Sequence, residues 1–283
     1  MHPGAPAVVC WGELVVDLSP DGAFLGGTAA NVARHAATLG ARARLVSATG
    51  DDAAGAAALG ALARLGVDLE HVLCAPGATA TVHVGVRDGQ PCYRAGARLP
   101  WQTLDFSAPL AGALAGADAL VFALFAQGTC LDVELLARVT APRLRVCDLN
   151  LRRDVPRALL ERVAELAHVI QLDATAAERV GRILQTPDPA RALLELGSVE
   201  LVAVTNGARG ARLVRRGAER VSRPPRIAHT PHAVGAGDAF AAAMTLALLA
   251  RASSEDVLAR ALEHALAHVE SVPEPLRIAS VQS

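Results

Sequence analysis

His232-Ala233-Val234-Gly235-Ala236-Gly237-Asp238-Ala239-Phe240 leads straight into the apolar run Ala241–Ala250. A glycine-punctuated turn that enters a long Ala/Leu helix aims backbone N–H groups at an anion, and the helix N-terminus adds partial positive charge. Asp238 is the one carboxylate at that junction, placed to take a proton from a hydroxyl attacking the bound anion. The pattern points to phosphoryl transfer. A second reading of the same residues is structural only: Gly235 and Gly237 make a tight turn and Asp238 caps the helix.

Working outward, the chain has 283 residues, enough for a large core and for one α/β domain with an appendage or for two domains. Net charge is −1, so no basic face for nucleic acid or anionic lipid is implied. There is no Lys among the 27 basic residues. That excludes a Walker-type phosphate loop, a Lys Schiff base and a Lys phosphate clamp. Cationic help with phosphate must come from Arg, a metal or backbone N–H groups. Cys10, Cys74, Cys92, Cys130 and Cys147 are scattered and form no C-x-x-C pair, which fits free thiols in a reducing compartment. No signal peptide or membrane span is read from the apolar stretches, so the expectation is a cytoplasmic protein.

Short β-rich runs alternate with Ala/Leu/Arg helical stretches, which predicts a parallel sheet with helices on both faces. Strands are expected at 7–11, 44–48, 119–124, 144–148, 169–172 and 201–205. Helices are expected at 28–39, 53–65, 131–139, 158–166, 236–250 and 254–269, the last with Ser253-Ser254 ahead of Glu255-Asp256 as a cap. Two segments break the alternation. Residues 13–25 read as a hairpin turned at Pro20-Asp21-Gly22, and 78–97 as a second, with strands 79–87 and 91–97 turned at Asp88-Gly89. Together they suggest a small sheet over the edge of the main one. One face of the strand from Thr79 to Val86 is apolar enough to be covered, by its own domain or by a second copy. Val204-Thr205-Asn206-Gly207 followed by Gly210-Ala211 reads as a strand end entering another short hairpin.

Further segments stand upstream in a telling order. Gly12-Glu13-x-x-x-Asp17 precedes Gly26-Gly27-Thr28-Ala29-Ala30-Asn31-Val32-Ala33. A short acid accepts hydrogen bonds from vicinal hydroxyls, two glycines admit close backbone approach, and Asn31 offers donor and acceptor. Gly50-Asp51-Asp52-x-x-Gly55 follows, equally readable as a helix cap. Cys147-Asp148-Leu149-Asn150-Leu151-Arg152 ends a central strand, where ligands bind in parallel sheets. With Val-Gly-Ala-Gly-Asp-Ala-Phe near the C-terminus, this order resembles the ribokinase (PfkB-type) carbohydrate kinases over nearly the whole chain, in particular fructokinase-like or ketodeoxygluconate-kinase-like members.

The resemblance implies a ribokinase-like α/β fold: one domain over residues 1–283, a mostly parallel central sheet, and a β-sheet lid from residues 13–25 and 78–98. It implies ATP and Mg²⁺, a sugar or sugar-like substrate, and a homodimer formed through the lid. Asp238 becomes the general base, with the backbone of Gly235, Ala236 and Gly237 as the anion hole. Asp17, Gly26, Gly27 and Asn31 fall to the sugar. Arg94 is a substrate-facing lid residue or a solvated strand residue, and Arg152 a substrate contact or a structural ion pair. Thr205, Gly207 and Gly210 fall to the nucleotide, and His264 is an adenine contact or an ordinary helix-face histidine.

Two departures stand out. His232 and Ala233 occupy places where relatives carry Asp-Thr, so monovalent-cation (K⁺) activation lacks its usual residues; His232 is a phosphate contact when protonated or an exposed loop residue. Relatives also carry Asn-x-x-Glu where this chain has Asp173 to Ala176, with Glu178 two residues later. That leaves Asp173 and Glu178 as the metal candidates. A nucleoside or aminoimidazole-riboside kinase of the same fold, and a sugar- or nucleotide-binding protein with impaired catalysis, stay open beside the sugar kinase.

Overall fold

The computed structural model describes residues 4–87, 90–95, 99–123, 133–139, 141–151, 153–222 and 234–278. Its strands, in chain order, are β1 (Ala7–Trp11), β2 (Val15–Ser19), β3 (Gly22–Gly26), β4 (Arg42–Gly50), β5 (Val72–Ala75), β6 (Thr81–Arg87), β7 (Gln90–Ala95), β8 (Ala119–Ala123), β9 (Leu144–Asp148), β10 (Val169–Asp173), β11 (Leu201–Thr205), β12 (Ala211–Arg215) and β13 (Ala218–Ser222). Its helices are α1 (Thr28–Thr38), α2 (Ala53–Arg64), α3 (Ser107–Leu114), α4 (Val133–Ala137), α5 (Arg157–Leu166), α6 (Ala174–Leu184), α7 (Pro189–Leu194), α8 (Ala236–Leu249) and α9 (Ser254–Glu270).

Nine strands form the main sheet in the order β13-β12-β11-β10-β9-β8-β1-β4-β5. From β5 to β11 neighbours run parallel, and β12 and β13 add an antiparallel edge. β1 and β8, near the middle, are apolar along their whole length because both faces are covered. On one face Leu110, Leu136, Leu160, Val180 and Leu193 bring α3 to α7 onto the sheet. On the other, α1, α2, α8 and α9 pack through Ala29, Ala33, Leu62, Ala241, Ala242 and Leu258. Small alanine faces let α1 and α8 approach closely, which places their N-termini side by side.

The two hairpins expected from 13–25 and 78–97 form the second sheet, in the order β3-β2-β6-β7, joined by parallel pairing of β2 with β6. Thr79 does not enter β6. Its backbone N–H and hydroxyl instead donate to Asp52 at 3.0 and 2.5 Å. Asp52 also caps α2 by accepting from Gly55 N–H at 2.9 Å, and Asp51 accepts from Gly77 N–H at 2.6 Å. The Gly50-Asp51-Asp52 corner thus fastens the strand leading to the small sheet. A Cβ on Gly50 would lie 2.1 Å from the Gly77 carbonyl, which explains the glycine there. The turn Asp88-Gly89 and residues 131–132 of the helix expected at 131–139 lie outside the described residues. β5, α3 and α7 were not expected.

Candidate active site

The N-termini of α1 and α8 meet above the C-terminal ends of β1, β9 and β10, the edge where parallel sheets bind ligands. At α1, Gly27 has φ +94°, and a Cβ there would stand 2.3 Å from the Glu13 carbonyl oxygen. A Cβ on Gly26 would stand 2.5 Å from the carboxyl carbon of Asp17. The glycine pair therefore lets the Asp17 carboxyl and the Glu13 backbone close over the helix start. Four residues into α1, Asn31 is buried. Its Nδ2 donates to Oδ2 of Asp238 at 2.8 Å, across 207 residues of sequence.

Asp238 sits in the first turn of α8, 9% exposed, after Gly235 with φ +86°. The N-cap, Gly235, has no side chain to cap this helix start, so its early N–H groups are offered through the backbone turn. The turn is braced twice. Gln171 Nε2, from β10, donates to the Gly237 carbonyl at 2.8 Å, and His268 Nε2, from α9, lies 2.8 Å from the Val234 carbonyl. A carbonyl only accepts, so His268 carries its proton on Nε2.

The charges are crowded. Burial first, and then the Asp238 carboxylate, push Asp17 up from 3.8 to about 7, with Arg34 opposing. Burial lowers the Arg34 guanidinium, while Asp238 and Asp17 act the other way. Beside it His35 meets His264 and His268 edge-on, with ring centroids 5.0 and 4.9 Å apart. Burial, with Arg34 and the other two rings, pushes His35 down to about 2. His264 and His268 are also lowered, chiefly by burial, so the three rings are neutral near pH 7.

A family model described as pfkB family carbohydrate kinase matches residues 8–272. The chain belongs to this family. Solved structures show the same fold. A fructokinase from Xylella fastidiosa with bound ATP aligns at TM-score 0.82 and 20% identity, over 94% of this chain and 92% of that one. Arabidopsis thaliana ribokinase complexed with ribose and ATP gives 0.78 and 20%, over 94% and 93%. The Methanocaldococcus jannaschii nucleoside kinase gives 0.76 and 17%, over 94% and 92%. A comparison with curated protein sequences found no match.

In this pfkB-family chain the residues expected at the sugar and at the transferring phosphate are Asp17, Gly26, Gly27, Asn31 and Gly235–Asp238. The fold brings them together. Asn150, at the end of β9, donates to Thr28 of α1 at 3.2 Å, closing the near side. Thr205, Gly207 and Gly210 lie two strands away at the end of β11, where Asn206 N–H donates to the Gly210 carbonyl at 2.7 Å. Arg94 is on β7, opposite His83. Arg152, His232 and Ala233 lie outside the described residues. His264 Nε2 is 3.1 Å from His35 Nδ1, one ring of the histidine wall.

The metal candidates do not make a donor set. Asp173 caps α6 by accepting from Ala176 N–H at 2.7 Å, and Glu178 is exposed further along that helix. Among the described residues no group of three or more His, Cys, Asp or Glu could hold a metal ion. Among the described residues no helix is long and apolar enough to cross a membrane.

Arg34, His35, His268 and Gln171 carry no role in the sequence reading. The signals were available: Arg34 follows Asn31 by three residues, one face of α1, and His264 and His268 share a face of α9 at a spacing of four. A buried amide beside Asp173 at a strand end was a further sign.

Proposed function

We propose that the protein transfers the γ-phosphoryl group of MgATP to a primary hydroxyl of a sugar or sugar-like alcohol. The observation that carries this reading is the Asn31–Asp238 hydrogen bond at 2.8 Å, which fixes a buried carboxylate beside an open helix N-terminus and opposite Asp17. Asp17 accepts hydrogen bonds from the sugar's hydroxyls beside the Gly26-Gly27 backbone, and Arg94 and Arg152 are the further substrate contacts. The attacking hydroxyl gives its proton to Asp238 as its oxygen bonds to phosphorus. N–H groups of Gly235, Ala236 and Gly237 stabilise the charge on the transferring group. Thr205, Gly207 and Gly210 flank the nucleotide. Closure of the small sheet over residues 13–25 and 78–98 excludes water and limits ATP hydrolysis.

The test is ADP release from MgATP across a panel of hexoses, pentoses, sugar acids and ribonucleosides, with K⁺ present and absent. Saturable release with a sugar or sugar acid supports the reading. Release only with ribonucleosides makes the protein a nucleoside kinase of the same fold. Saturable sugar binding with no ADP formed makes it a binding protein.

A further inference from the structure

Arg34 stands three residues after Asn31 on α1, on the face that meets α8. Its guanidinium rests against the turn that opens α8. Nη2 lies 3.7 Å from where a Cβ on Gly235 would stand, beside His268 Nε2 at 3.0 Å from the same point. Its Nε is enclosed and has no hydrogen-bond partner among the described residues. Around it stand the carboxyl of Asp17, raised to about 7 by burial and by Asp238, and the Asp238 carboxylate, while His35, His264 and His268 are neutral and add no competing cation.

Phosphoryl transfer needs positive charge at the anion hole, and backbone N–H groups supply only partial charges. The chain holds no Lys, and its described carboxylates do not gather into a metal site. A guanidinium with an unused donor, held at the mouth of the turn, meets that need. Its planar fork also matches phosphate oxygens better than a point charge does.

We propose that Arg34 is a catalytic residue whose guanidinium contacts the γ-phosphoryl oxygens of ATP at the Gly235–Gly237 turn. The inference rests on the phosphoryl-transfer reading above. In the step it serves, a new P–O bond forms to the substrate oxygen and the bond from the γ-phosphorus to the β–γ bridging oxygen breaks. ADP leaves with that electron pair, and the hydroxyl proton passes to Asp238. Arg34 neither gains nor loses a proton. Its charge offsets part of the negative charge that the nucleotide brings to the turn.

Calorimetric binding of MgATP and MgADP tests this without knowledge of the sugar, because only ATP carries the group that Arg34 touches. In Arg34→Gln and Arg34→Met, the second preserving the stem's packing should the first misfold, the ATP:ADP affinity ratio is expected to fall at least ~10-fold. ADP affinity stays within about 3-fold of wild type, and Arg34→Lys recovers part of the ratio. Arg260→Gln, an exposed charge loss on α9, leaves the ratio unchanged. Equal losses for ATP and ADP, or an unaltered ratio in a folded neutral variant, overturn the assignment while leaving the kinase reading intact. Wild-type protein that binds neither nucleotide overturns both.

Discussion

Replacing Asp17 with Asn is expected to change how stability depends on pH, by an amount set by the crowding of the site. Folding raises this carboxyl from 3.8 to about 7, through burial first and the neighbouring Asp238 second, against Arg34. Between those limits the folded protein holds a proton that the unfolded chain has released, so stability falls as pH rises through the window. At ~1.4 kcal/mol per unit, the folded state is destabilised by about 4 kcal/mol once pH exceeds 7, and not at all below 4. Asp17 keeps part of its surface in water, so this is the upper end. The neutral Asn variant lacks the penalty. Its stability advantage over wild type, from urea unfolding at pH 4, 5, 6, 7 and 8 at fixed ionic strength, should climb across pH 4–7 and then level. The climb should shrink when Asp238→Asn is also present, since that removes the second cause. A difference that is flat with pH, or that shrinks as pH rises, refutes the reasoning.

Gly27→Ala forces a side chain onto a φ of +94° and a Cβ to within 2.3 Å of the Glu13 carbonyl, and is expected to cost about 3 kcal/mol or more in urea unfolding. His268→Leu removes the donor to the Val234 carbonyl and loosens the turn. Turnover is expected to fall about 10-fold or more while sugar KM moves little, which steady-state kinetics resolves.

Much of the fold follows from patterns that local chemistry can express. β1 and β11 have their expected bounds because buried parallel strands are nearly unbroken apolar runs between turn signals. Ser253 caps α9 by accepting from Asp256 N–H, as its neighbours suggest. The missed elements depend on partners. β5 is four residues that become a strand only by pairing with β4, and α3 carries Pro109 and Gly112, which hide its helical period. The site divides the same way. Motif residues such as Asp17, Gly27, Asn31 and Asp238 announce their chemistry by type and order. Arg34, His35 and His268 do not, because their importance arises where α1 and α9 converge on the Gly235 turn.

The central claim is that Asp238 takes the proton from the substrate hydroxyl during transfer. Turnover of Asp238→Asn, measured by ADP release with the best substrate of the panel, tests it most directly. Asn keeps the size of the side chain and can still pair with Asn31, so sugar affinity should stay within a few-fold. Loss of the base should lower kcat by about 10² to 10⁴. Wild-type-like turnover in the folded variant would contradict the account.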